Sequence, residues 1–239
     1  PFKKMVLDKW QKAGAEAGWM KVSYTPWDLW TFSSKSNSQL FDIPSFRIGS
    51  LEAIDNLPAP GQPFGLDLVS IDKYDESKHE VAFRAITDKD VKSLLRFDKL
   101  ISLQIYAKNL TIDGLRLLGK MNDLESLHIY CCDSSDDLLK CISCLKNLKT
   151  LRLSSVKVTK QGFKYISQIE NLTTLDLSRA ESEQDELSQL KSLMKLKRLY
   201  CGDVLAENGL VSVCRLTGLT DLNIIIGPKV SDDQVILLK

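Results

Sequence analysis

The segment LISLQI (100–105) decides the fold, because its pattern returns as LESLHI (124–129), LKTLRL (148–153), LTTLDL (172–177), LKRLYC (196–201) and LTDLNI (219–224). Leu103, Leu127, Leu151, Leu175 and Leu199 stand 24 residues apart, and Leu222 follows at 23. In an extended strand alternate side chains face opposite sides, so each L-x-L aims two apolar groups inward and the residue between them outward. A second ladder lies between the strands. Leu115, Leu139, Phe163 and Leu187 continue into Leu210 and Val235, while Leu118, Ile142, Ile166, Leu190 and Val213 form a parallel series. Within a unit these two series are three residues apart, the spacing of one helix face. A single strand–helix unit cannot bury its apolar side, but stacked units cover one another.

The expected architecture is therefore α/β, with a parallel sheet on a concave face and helices on a convex face. Right-handed crossovers are the rule for such connections. Thr87, Thr111, Ser135, Thr159 and Ser231 stand at or near the expected helix starts, where a hydroxyl accepts from free backbone N–H groups. Ser231 and Gln234 have capping-box spacing.

The pieces ITDKDV (86–91), LTIDGL (110–115) and VTKQGF (158–163) resemble the I/V-T-D-x-G-L unit of bacterial leucine-rich-repeat proteins, of the ribonuclease-inhibitor-like, cysteine-containing repeat type. PFGLDL (63–68) is similar to the start of such arrays, and the motif breaks at ESEQDEL and LAENGL. The resemblance spans 63–239 and implies a right-handed leucine-rich-repeat solenoid of six to seven repeats with a ligand-binding or scaffolding role.

Residues 1–62 lack the repeat. Val6, Trp10, Ala13 and Ala17 share one helical face, predicting an amphipathic helix over 3–17. An aromatic stretch follows with Trp19, Tyr24, Trp27, Trp30 and Phe32, then the loop-like SSKSNSQ (33–39), a short strand within 40–48 and a helix over 50–57. An open solenoid exposes the core of its first unit, so 1–62 reads as an N-terminal cap. The alternative is an aromatic ligand pocket serving an enzyme or cofactor-binding protein. Residues 63–84 read as a degenerate first repeat or a hairpin, with Val81 and Phe83 suited to the first strand of the array.

Net charge is +1, from 32 basic and 31 acidic side chains, and gives no broad attraction to nucleic acid or anionic membrane. No run approaches the roughly 18 apolar residues of a membrane span. The six cysteines, Cys131, Cys132, Cys141, Cys144, Cys201 and Cys214, sit in a chain long enough to fold on a core, which favours reduced thiols and a cytoplasmic setting. Cys131-Cys132 with Cys141-x-x-Cys144 invites a zinc site. The repeat instead puts Cys132 at a buried slot and Cys201 in place of a core aliphatic, so packing is preferred and no metal or cofactor is expected.

Catalysis finds little purchase. The sequence has no Gly-rich phosphate loop, no G-x-S-x-G and no H-E-x-x-H. His79 falls in a charged turn, and His128 lies two strands from Asp176, a separation of roughly 10 Å. The outward slots offer more. Their central column is Gln104, His128, Arg152, Asp176, Tyr200 and Asn223, flanked by Ser102, Ser126, Thr150, Thr174, Arg198 and Asp221 and by Tyr106, Tyr130, Ser154 and Ser178. Packing does not dictate these residues, and Tyr and Arg dominate binding hot spots. The expected function is a non-enzymatic protein- or peptide-binding scaffold using Gln104, Tyr106, His128, Tyr130, Arg152, Asp176, Arg198, Tyr200 and Asn223. A structural subunit of a larger assembly is the remaining alternative. Self-association through an uncovered C-terminal strand edge is a further expectation.

Overall fold

The computed structural model describes residues 2–21, 31–34, 42–68, 71–75, 80–83, 86–132, 135–182, 184–205 and 207–226. Tyr24, Trp27, Trp30, His79, the Ser231–Gln234 cap and Val235 lie outside them.

The chain runs α1 (Lys4–Lys12), β1 (Ala15–Lys21), β2 (Thr31–Ser33), β3 (Ile43–Ile48), a 3₁₀ turn (Ile54–Asn56) and β4 (Phe64–Asp67). A hairpin of β5 (Ile71–Asp75) and β6 (Glu80–Phe83) follows. The repeats then unroll as α2 (Asp88–Leu94), β7 (Leu100–Tyr106), α3 (Ile112–Leu118), β8 (Ser126–Cys132), α4 (Ser135–Ile142), β9 (Thr150–Val158), α5 (Lys160–Ile166) and β10 (Thr174–Ser182). A 3₁₀ helix (Gln184–Ser192), β11 (Arg198–Leu205), α6 (Glu207–Cys214) and β12 (Asp221–Ile226) complete the described chain.

One ten-stranded sheet holds all strands but the hairpin, in the order β12-β11-β10-β9-β8-β7-β4-β3-β1-β2. From β12 to β3 every pairing is parallel, and β1 and β2 close that end antiparallel. The leucine ladder is in register: Leu66 pairs with Leu103, then Leu127, Leu151, Leu175, Leu199 and Leu222. From Leu66 to Leu199 these leucines are fully buried, as are Leu115, Leu139, Phe163 and Leu187 opposite them. Each buried leucine contributes roughly 1.5–3 kcal/mol relative to exposure. The expected α/β leucine-rich-repeat solenoid is what forms.

Threonine hydroxyls cap the starts of α2, α3 and α5. Thr111 Oγ1 accepts from the Asp113 N–H, and Thr159 Oγ1 from those of Gln161 and Gly162. Thr87 and Asp90 form a reciprocal capping box. The same threonines tie units together. Thr111 donates through N–H and hydroxyl to the Asp88 carboxylate, and the Thr159 hydroxyl donates to Asp136 at 2.9 Å.

The N-terminal region departs from expectation in three places. The first helix ends at Lys12, because Gly14 at φ 84° turns the chain, and Ala15 and Ala17 face the core from β1 instead of from a helix. Only the 3₁₀ turn Ile54–Asn56 forms within the helix expected over 50–57. The strand β3 lies inside 1–62 yet joins the parallel ladder through β4, so the ladder begins before residue 63. Its rung before β7 is Phe64–Asp67, and Glu80–Phe83 pairs with Ile71–Asp75 away from the main sheet.

Trp10 is fully buried, stacked on Phe46 at 4.3 Å and tilted against Phe97, with its indole N–H donating to the Pro58 carbonyl. Arg96 of the turn after α2 donates to the Ile54 and Leu57 carbonyls and fixes the N-terminal region to the first repeat. No helix among the described residues is long and apolar enough to cross a membrane.

Candidate binding face

The strand residues that alternate with the leucines form the inner face of the sheet. Register brings Gln104, His128, Arg152, Asp176, Tyr200 and Asn223 into one continuous row. The row extends further than the repeat motif indicated, through Asp67 of β4 to Arg47 of β3. Arg47 Nε donates to Asp67 Oδ2 at 2.8 Å, and its guanidinium lies 4.4 Å over the Phe32 ring.

Register places these residues on one face, and most of them are buried there. His128, Asp176 and Tyr200 are 0% exposed, Arg152 5% and Gln104 6%. Tyr106, Tyr130 and Arg198 are half-buried and Asn223 is exposed. Part of the cover is the N-terminal region. Met20 of β1 comes against Gly65 and accepts from the Ser102 hydroxyl, and Met20, Tyr200 and Ile43 form an apolar cluster apart from the repeat core. The strand pattern distinguishes inward from outward but carries no information on what lies above the outward side.

The buried row is held by charge pairing. Arg152 Nε lies 3.1 Å from Asp176 Oδ2, and Asp176 Oδ1 accepts from the Ser178 N–H and hydroxyl. The Tyr200 hydroxyl donates to Asp221 at 2.8 Å; burial, then that hydrogen bond, raises its pKa. His128 stacks at a tilt on Tyr130, ring centroids 4.0 Å apart, and its Nε2 is 3.2 Å from Ser154 Oγ. Burial first, then the charges of Arg152 and Arg179, holds the imidazole well below its ordinary pKa, so it is neutral at physiological pH. Burial likewise raises the phenol pKa of Tyr130.

A histidine beside a serine hydroxyl is the opening of a nucleophile–base arrangement. Asp176 is not its third member: Arg152 intervenes in register between His128 and Asp176, and Asp176 is committed to Arg152 and Ser178. Ser154 is itself buried.

Sequence reading missed Arg179. A bulge in β10 shifts the register after Asp176, so Arg179 and not Ser178 opposes Ser154. Asp176 bonding forward to the Ser178 N–H is the local cause, and an Asp two residues before a Ser is a turn signal that can be read in a sequence. Arg179 is exposed and ends the row that begins with Tyr106 and Tyr130.

Cys132 and Cys201 are buried in the core, as their repeat positions indicated, whereas Cys141 is half-buried and Cys144 exposed.

Residues 115–208 match the family model described as Zer-1-like leucine-rich repeats. Among solved structures, an internalin (inlF) from Listeria monocytogenes is 18% identical, with a TM-score of 0.44, over 80% of this chain and 55% of the internalin chain. The chain thus spans little more than half the length of that protein. No curated protein matches it.

Proposed function

We propose that this chain, a leucine-rich-repeat protein, is a non-enzymatic scaffold that binds a protein or peptide along the inner face of its sheet. The observation that carries the reading is the buried Arg152–Asp176 pair beside neutral His128 on that face. A buried ion pair is often no more stabilising than apolar residues of equal volume, and leaving one partner alone costs several kcal/mol. A polar row kept under such cost supports a recognition role, in line with the trade between stability and function. Beside it, Tyr106, Tyr130, Arg198, Arg179 and Asn223 retain exposure and supply aromatic and guanidinium groups of the kind that anchor partners. In this reading those five residues touch the partner, while Gln104, His128, Arg152, Asp176 and Tyr200 hold the surface rigid beneath them.

The test is a photo-crosslinking amino acid placed at Tyr130, with a control at Lys164 on the helical side, in cells of the native source. Adducts to a discrete protein from position 130 and none from 164 are expected. Tyr106→Ala, Tyr130→Ala and Arg198→Ala combined should then weaken binding of that protein at least about tenfold with the circular dichroism unchanged. Adducts from 164 alone, or full binding by the folded triple variant, would sink the proposal.

A further inference from the structure

The helical side of the array carries a second chemical feature, remote in kind from the inner face. Cys141 is in the last turn of α4, and Cys144 lies in the turn that prolongs it: the Ser143 N–H donates to Leu139 O, and that of Leu145 to Ile142 O. Residues three apart on a helical path have Cα atoms about 5 Å apart, inside the roughly 4.4–6.8 Å that a disulfide spans. The Cys144 thiol is turned back along the helix, donating to the Cys141 carbonyl at 3.1 Å and to the Gly119 carbonyl at 3.2 Å. Gly119 permits that approach, since a Cβ there would collide with the Cys141 carbonyl. Both cysteines line a cleft of about 400 Å³ between α3 and α4, whose charged residues are Arg116, Lys120, Lys140 and Asp137. Three cations against one carboxylate make it a cationic groove, although Arg116 also pairs with Asp113.

We propose that Cys141 and Cys144 are a dithiol that passes reversibly to an intrachain disulfide by exchange with a small anionic disulfide, such as glutathione disulfide, received in this cleft. Cys144, exposed, attacks first. Its thiolate bonds to one sulfur of the small disulfide, whose S–S bond breaks and releases one thiolate that takes up the proton Cys144 lost. Cys141 then attacks the Cys144 sulfur of the mixed disulfide, loses its own proton and expels the second small thiol. Two electrons pass from the protein dithiol to the small disulfide, and two molecules of small thiol leave. The order follows the surroundings of the two sulfurs: burial pushes the Cys141 thiol up in pKa, which suits it to the second, intramolecular step. Forming the S–S bond withdraws the Cys144 donor from Gly119 O, so oxidation loosens the junction of α3 and α4.

The experiment exposes the full chain to a series of glutathione disulfide-to-thiol ratios, quenches by alkylation and maps the peptides. A Cys141–Cys144 linkage that rises with the ratio and reverses in excess thiol is expected. Cys141→Ser should stop at one glutathione on residue 144, and Cys144→Ser should slow the first exchange at least about tenfold. The uncharged hydroxyethyl disulfide should react several-fold more slowly with the wild-type chain. A wild-type chain that stays reduced throughout, or that accumulates the adduct without the linkage, overturns the proposal, and equal rates with the two disulfides overturn the role of the cationic cleft. If Cys141→Ser does not fold, substoichiometric N-ethylmaleimide on the native wild-type chain tests the same order: Cys144 must label before Cys141.

Discussion

At residue scale, His128 couples the inner face to pH. Buried and neutral beside Arg152 and Arg179, it has a lower pKa in the folded chain than its ordinary value near 6.5. The unfolded chain therefore binds more protons between the two pKa values, and stability must fall as pH drops below about 6.5, by at most about 1.4 kcal/mol per pH unit from this group. Above that pH its contribution is complete. Urea unfolding from pH 7.5 down to 5 should show this slope in the wild-type chain, and His128→Gln should remove it; an unchanged slope in the variant would assign it to other groups. The place of His128 in the row was legible because strand alternation fixes which way a side chain points. Its burial was not, because alternation carries no information on what lies above the outward side of a strand. Arg179 escaped for a third reason: a single-residue bulge changes register without changing the 24-residue spacing of the leucines.

At the scale of the element, one hydroxyl decides much. Thr159 accepts from two backbone N–H groups at the start of α5 and donates to Asp136 of the preceding unit. Thr159→Ala should cost about 1 kcal/mol for the cap and somewhat more through the lost link, read as a lower denaturation midpoint with an unchanged m-value. Serine at this position should recover most of the loss. These starts were readable as Thr or Ser at fixed spacing. In the next unit the position in step with Thr111 and Thr159 is Glu183, which has no hydroxyl, and a 3₁₀ helix (Gln184–Ser192) follows, although α6 follows Ala206 as an α-helix. The first helix was overextended because Ala13 and Ala17 fit a helical face, while the turn at Gly14 outweighs that pattern and hands Ala15 and Ala17 to a strand.

For the whole molecule, stability is passed from neighbour to neighbour, and the end units are the vulnerable ones. Trp10 is the pin at the N-terminal end, stacked on Phe46 of β3 and edge-on to Phe64 of β4. Trp10→Ala should cost about 3–5 kcal/mol, with hydrogen exchange accelerating first in β3 and β4 and last in β9 at the centre of the array. Uniform acceleration through every strand would mean a single cooperative block. The array was legible from Leu103 onward because the period holds. Its earlier rung, in PFGLDL (63–68), was legible from likeness to the start of such arrays and not from the period, because the β5–β6 hairpin stretches the interval from Leu66 to Leu103 to 37 residues and puts Val81 and Phe83 at a more tempting distance from β7.

The threonine–aspartate links have a consequence for how such a chain can change its length. Asp88 to Thr111 and Asp136 to Thr159 each span 23 positions, so each bond ties one turn of the coil to the next, and the two bonds recur two turns apart. Excising two whole turns, residues 89–136, would bring Thr159 to the place of Thr111 opposite Asp88, whereas excising the single turn 113–136 would set Thr159 against Ile112. A cut that is not a whole number of turns would also throw the leucine ladder out of step, so growth and loss of this scaffold are quantised.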